Sequence, residues 1–170
     1  MSAAVPWVVR FRAEHRFDAP REAVIDVFAD PTFYLSLALP DLTMPELLET
    51  RTEGGTALLR LRYEYAGELD PIGRRLLGGH RLSWLQELRI DRAGFTGSLV
   101  MRADAGRQLH GSADFSFLED GNGSVRRLEG SLEVRIIGVG PMAERRIVPG
   151  VLRRLDIEAA AVAERVEAGR

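Results

Sequence analysis

Between Trp7 and Phe17 the chain alternates without a break. Trp7, Val9, Phe11, Ala13, His15 and Phe17 fall on one side, and Val8, Arg10, Arg12, Glu14 and Arg16 on the other. Such alternation marks a strand with one face in the core and one in water. At Asp18-Ala19-Pro20 the period changes: proline suits the first turn of a helix, and Ala23, Val24, Val27 and Phe28 then recur at helical spacing. Asp30-Pro31 repeats the device, with Asp30 placed to cap a second short helix carrying Phe33, Tyr34 and Leu37.

From Thr50 to Ile137 the pattern is a train of strands. Glu53-Gly54-Gly55, Arg92-Ala93-Gly94, Asp104-Ala105-Gly106 and Asp120-Gly121-Asn122-Gly123 each supply turn residues and separate two alternating runs, which predicts an antiparallel meander. The inward positions, chosen by apolar content, are Ala57, Leu59, Leu61, Tyr63 and Tyr65, then Leu82, Trp84, Gln86, Leu88 and Ile90, then Phe95, Gly97, Leu99, Met101 and Ala103. They continue with Leu109, Gly111, Ala113, Phe115 and Phe117, and end with Leu128, Gly130, Leu132, Val134 and Ile136. The other face carries Arg60, Arg62, Glu64, Glu87, Arg89, Arg127, Glu129, Glu133 and Arg135, which can pair across strands in water. A sheet with one wet face needs a cover on the other.

The cover is the last thirty residues. From Pro141 to Arg170 the pattern is that of one long helix, with Glu144, Val148, Val151, Leu152, Leu155, Ala159, Val162 and Val166 in a single stripe. Pro149-Gly150 interrupts it, and a bend between Arg145 and Gly150 is expected, because a mid-helix proline removes a backbone donor. The fold class that follows is α+β: a curved antiparallel sheet of about seven strands, two short helices, and a long C-terminal helix across the inner face. No linker or repeat divides the chain, so residues 1–170 are expected to form a single domain.

This order resembles the START-like, or SRPBCC, superfamily with its helix-grip fold. The likeness spans nearly the whole chain, and its local marks are Phe17-Asp18-Ala19-Pro20 leading to Val24, Val27 and Phe28, then Asp30-Pro31-Thr32-Phe33. Within the superfamily the chain is most similar to an actinobacterial family numbered 2505 among the domains of unknown function. The marks there are the connection from Pro71 to Gly79 before a Trp-bearing strand, and Ile137-Gly138-Val139-Gly140-Pro141-Met142-Ala143-Glu144 entering a helix that carries Glu158. The resemblance implies an apolar cavity between sheet and helix, holding lipids, sterols, polyketides or similar molecules. Only some members of the superfamily are enzymes.

Composition narrows the chemistry. A formal charge of −2 gives no general attraction to nucleic acid or an anionic membrane. No apolar run approaches the ~18 residues of a membrane span, and no leader pattern opens the chain, so a cytoplasmic location is expected. There is no cysteine, and all 23 basic residues are arginine. Thiolate nucleophiles, Cys-rich zinc sites and lysine imines are thereby excluded. Three dispersed histidines lack metal-ligand spacing, so neither a metal nor a cofactor is expected.

His15 shares the inner face of its strand with Phe11 and Phe17, where an imidazole could act as acid or base, or simply be a core histidine satisfied by a carbonyl. His80 and His110 read as solvent-facing. Tyr63, Tyr65, Trp84 and Gln86, with Phe115, supply the few polar groups and the apolar wall that a small-molecule pocket requires, or else a filled core. Inner-face glycines 97, 111 and 130 favour space, on the order of the 300 to 1,000 Å³ usual for ligand sites. Glu144 could face that space, though favourable charge at a helix N-terminus is the plainer role. Glu158, at the edge of the stripe, could meet His15 or an arginine, or reach water. The segment from Asp70 to Gly79 could be a lid or a mere connection. The expected function is noncovalent binding of a hydrophobic small molecule, lipid-like or polyketide-like. An aromatase or cyclase-like enzyme and a solid protein-interaction module are the alternatives.

Overall fold

The computed structural model describes residues 7–69, 71, 74, 79–104, 109–135 and 140–170, with the backbone alone at 140–144. The Ile136 position, most of the segment between Asp70 and Gly79, and the Glu144 side chain therefore lie outside the described residues.

Seven antiparallel strands form one sheet: β1 (Trp7–Phe17), β2 (Glu46–Glu53), β3 (Thr56–Glu64), β4 (Ser83–Asp91), β5 (Thr96–Ala103), β6 (Leu109–Asp120) and β7 (Gly123–Val134). The spatial order is β1-β7-β6-β5-β4-β3-β2. Strands β2 to β7 thus meander, and β1 closes the sheet against the last of them. Helices α1 (Arg21–Phe28) and α2 (Pro31–Ser36) connect the two edges, and α3 (Gly140–Ala168) follows β7. The first meander strand begins at Glu46, ahead of the expected Thr50.

Local chemistry sets the helix starts. Asp30 accepts a hydrogen bond from the Thr32 backbone N–H at 2.9 Å and Pro31 occupies the first turn of α2. The entry to α1 is pinned by the Ser124 hydroxyl, which donates to the Ala19 carbonyl at 2.8 Å. Helix α3 continues through Pro149 as one 29-residue element, and the proline lies on its exposed side.

The core occupies the concave side. Val24, Ile25 and Phe28 of α1 and Phe33 and Tyr34 of α2 are buried with Phe11 and Phe17 of β1, Leu59 and Leu61 of β3, and Phe117 of β6. Helix α3 adds two unequal halves: Ala159, Val162 and Val166 are buried, whereas Ile147, Val148, Val151, Leu152 and Leu155 are only partly so. The apolar stripe therefore faces the sheet, as its spacing predicts. Phe95 departs from the expected pattern. It sits in the β4–β5 turn at φ 53° rather than on a strand, and the Arg21 guanidinium lies 3.8 Å from its ring centre. On the outer face, Arg60 pairs with Glu87 and Glu49, and Arg127 with Glu14, as cross-strand neighbours in water do.

Candidate functional site

Between the sheet and α3 lies an interior cavity of about 80 Å³. That is room for two or three waters at about 30 Å³ each, far below the several hundred cubic ångströms expected. The glycines explain the difference. A Cβ on Gly97 would stand 2.3 Å from the Phe115 ring, one on Gly130 2.5 Å from the Phe11 ring, and one on Gly111 2.9 Å from Leu132. Each missing side chain is replaced by a large neighbour from the adjoining strand: Gly97 and Gly130 admit aromatic rings, and Gly111 admits Leu132 while still lining the cavity.

The wall is mostly apolar, with Phe28, Leu88, Phe115 and Leu128 among its members, and polar groups enter from Tyr34, Tyr63, Gln86, Arg126, Arg154 and Glu158. Gln86 apart, these polar groups form two clusters.

The first is built on the register of β1 and β7, which sets His15 directly opposite Arg126 on the inner face. The Arg126 side chain is 3% exposed. One of its NH₂ groups donates to Glu158 Oε1 at 2.7 Å and the other to His15 Nδ1 at 3.1 Å. Its charge also lies 4.3 Å from the Phe28 ring centre, a cation–π contact. A guanidinium cannot give up its proton, so Nδ1 must be the acceptor. The ring proton is then on Nε2, which donates to Asp156 Oδ1 at 3.0 Å. Burial, followed by the charge of Arg126, lowers the His15 pKa from 6.5 against the opposing pull of Asp156. The imidazole is held neutral with both nitrogens engaged. Nearby, the buried Tyr34 hydroxyl donates to the Phe28 carbonyl at 2.8 Å, and burial together with the Glu158 charge raises its pKa well above 10.

The second cluster sits on β3, β4 and α3. Tyr63 and Trp84 are register partners and stack with ring centres 5.7 Å apart and 19° between planes. The Arg154 guanidinium lies 4.9 Å from the Trp84 ring centre. Burial raises the Tyr63 pKa and lowers that of Arg154. The Trp84 indole N–H is buried without a hydrogen-bond partner.

Of the residues marked in the sequence, Tyr63, Gln86 and Phe115 line the cavity. Trp84 and His15 are not among the described lining residues: Trp84 lies beneath Arg154, and His15 is the register partner of Arg126. Tyr65 is half-buried at an isolated bridge to Leu42 and is not among the described lining residues. His80 is exposed. Glu158, whose plainer reading was a boundary residue reaching water, is 16% exposed and bound to Arg126. Arg126, Arg154 and Asp156 were missed. For Arg126 a signal existed: it is two residues before inward-facing Leu128.

A family model described as "Protein of unknown function (DUF2505)" matches residues 12–166. Among solved structures, the chain is similar to TTHA0849 from Thermus thermophilus, at TM-score 0.68 and 20% identity over 95% of this chain and 99% of that one. It is also similar to the Zhui aromatase/cyclase from Streptomyces sp. R1128, at TM-score 0.66 and 18% identity over 94% of each chain. A third is Ara h 8.0201, at TM-score 0.65 and 14% identity over 95% of this chain and 99% of that one. These likenesses establish the helix-grip fold. No curated protein matches the sequence, and no helix among the described residues is long and apolar enough to cross a membrane.

Proposed function

The chain belongs to the DUF2505 family, proteins of unknown function with the helix-grip fold, and from that premise we propose that it binds a hydrophobic small molecule, without covalent chemistry, between the sheet and the first half of α3. The observation that carries this reading is the state of the cavity walls. Leu99 and Met101 of β5 and Val151 and Leu155 of α3 all line the cavity, yet all remain only partly buried. A solid core would bury such side chains completely. An apolar guest would take the remaining surface from water at about 25 cal/mol per Å². A guest larger than 80 Å³ requires the walls to move, and the partly buried first half of α3 is the wall this reading assigns to that movement.

The enzymatic alternative needs an imidazole and a carboxylate together in the cavity. His15 and Asp156 are within hydrogen-bond reach, but both nitrogens of His15 are occupied, and Asp156, 72% exposed, lies toward solvent. This arrangement favours binding over acid–base catalysis.

Native mass spectrometry of the purified protein tests the reading. A copurified apolar molecule is expected, and Leu155→Trp, which fills the cleft from a half-exposed position, should remove it while leaving the circular dichroism spectrum unchanged. Protein that carries no such molecule and takes up none from a lipid extract would refute the reading.

A further inference from the structure

The charges that line the cavity do not balance. Arg126, Arg154 and Glu158 contribute two positive charges and one negative, and the negative one is committed to Arg126 at 2.7 Å. Arg154 has no hydrogen bond or ion pair among the described residues, although it is half-buried and faces the cavity. Its neighbour Arg153 points away and lies 3.9 Å from Asp41. What Arg154 does have is the face of Trp84, a contact that holds the guanidinium in place without neutralising it. Among the donors of the lining residues, the Arg126 Nε–H is buried without a partner and the Tyr63 hydroxyl makes no hydrogen bond among the described residues; the Trp84 N–H, also buried and unpartnered, belongs to the ring beneath Arg154. A half-buried cation whose one described contact is an aromatic face keeps its charge available to an anion with acceptor oxygens. The described protein residues do not supply it.

We infer that the ligand is an apolar acid, whose carboxylate pairs with Arg154 beside Tyr63 while its apolar body lies along Leu99, Met101, Val151 and Leu155. This inference rests on the binding reading above and adds the chemical class of the guest. The planar fork of arginine can donate two parallel hydrogen bonds to a carboxylate, and the Trp84 ring 4.9 Å away gives the guanidinium a cation–π contact on the cavity wall. The charge of Arg126 is already matched by Glu158, although its Nε–H has no partner, so the unmatched charge on the wall is that of Arg154.

Isothermal titration of the full chain with two acid and alcohol pairs tests this: decanoate against decan-1-ol, and 2-naphthoate against 2-naphthalenemethanol. At least one acid should bind about tenfold or more tightly than its alcohol, the size of a charge-assisted hydrogen bond. Arg154→Gln should bring that acid down to the level of the alcohol and leave the alcohol unchanged, and Arg154→Lys should restore part of the preference. If the alcohols bind and the acids bind no tighter, or if Arg154→Gln weakens both equally, the inference is overturned while the binding reading stands. If none of the four binds the wild-type chain, both fall. The wild-type comparison alone decides the matter should the variants fail to fold.

Discussion

Replacing Glu158 by glutamine removes the counter-charge of Arg126 while keeping the size of the side chain and one acceptor oxygen. Arg126 is 3% exposed and Glu158 16%, so this pair is not one of the solvated bridges of the outer face. Breaking a buried pair from one side costs about 3 to 5 kcal/mol, because the remaining charge stays desolvated. The amide oxygen still accepts from the guanidinium and His15 Nδ1 still receives its other arm, which places the expected loss near the lower end, about 3 kcal/mol. In a chain of this length each kcal/mol moves the Tm by about 2 to 4 °C, so a fall of roughly 6 to 12 °C is expected.

Differential scanning calorimetry of wild type, Glu158→Gln, Arg126→Met and the double variant measures both the cost and the coupling. The double variant should recover part of the loss, since it leaves no unpaired buried charge, less the cation–π contact with Phe28, the hydrogen bond to His15 and the desolvation of the introduced amide. A Glu158→Gln loss below about 1 kcal/mol, the value of an exposed pair, would refute the reasoning. It would mean that water reaches Arg126.

The pKa of His15 gives a second prediction. Its folded pKa lies below 6.5, so the unfolded chain takes up the proton first as pH falls, and the native state loses stability from about pH 6.5 down through the folded pKa. Above that window the group contributes no slope. His15→Gln should therefore flatten the fall in Tm between about pH 7 and pH 5, and parallel Tm curves for the two proteins would rule the mechanism out. A third prediction concerns Gly97→Ala, whose Cβ would stand 2.3 Å from the Phe115 ring and 2.8 Å from the Arg89 carbonyl oxygen. Urea denaturation should show a loss of about 1 to 3 kcal/mol, only partly recovered by Phe115→Leu, since the backbone contact remains. A neutral Gly97→Ala would show that the ring is not held against β5.

How much of this was legible in the chain depends on what each residue type can conceal. In β1 the alternation places Val9, Phe11, His15 and Phe17 inside, and all four are buried, because a period of two leaves no other choice once one face is apolar. The inner-face glycines were equally visible, yet their meaning was not. Whether a glycine leaves a hole or admits a ring depends on the residue opposite, and the register pairs Gly97 with Phe115 and Gly130 with Phe11. Register is a property of the folded sheet. The same holds for Arg126, which shares the inner face with Ser124 and Leu128 but belongs to a residue type normally assigned to water. Only its three partners, contributed by β1, α1 and α3, make an inward arginine tolerable, and they lie 30 or more positions away in sequence. Arg154 follows Val151 by three residues and so sits near the apolar stripe, but a long basic side chain there can snorkel to water as readily as cover the sheet.

The two halves of α3 connect this packing to the proposed function. Its last turns are fixed: Val162 and Val166 are buried, and Arg165 donates to Asp30 at 2.9 Å and to the Thr32 hydroxyl at 2.7 Å, tying the helix to the cap of α2. Its first half keeps five apolar side chains, from Ile147 to Leu155, only partly buried. Between the halves stands Glu158, held by the arginine that also fixes His15 on β1. On the proposed reading, space for a guest larger than a few waters comes from the first half, which does not carry the Arg165 hydrogen bonds that anchor the second. On this account the buried Arg126–Glu158 pair marks the boundary between the fixed and yielding parts of the helix. Arg154, one turn before Glu158, is the first cation on the yielding side.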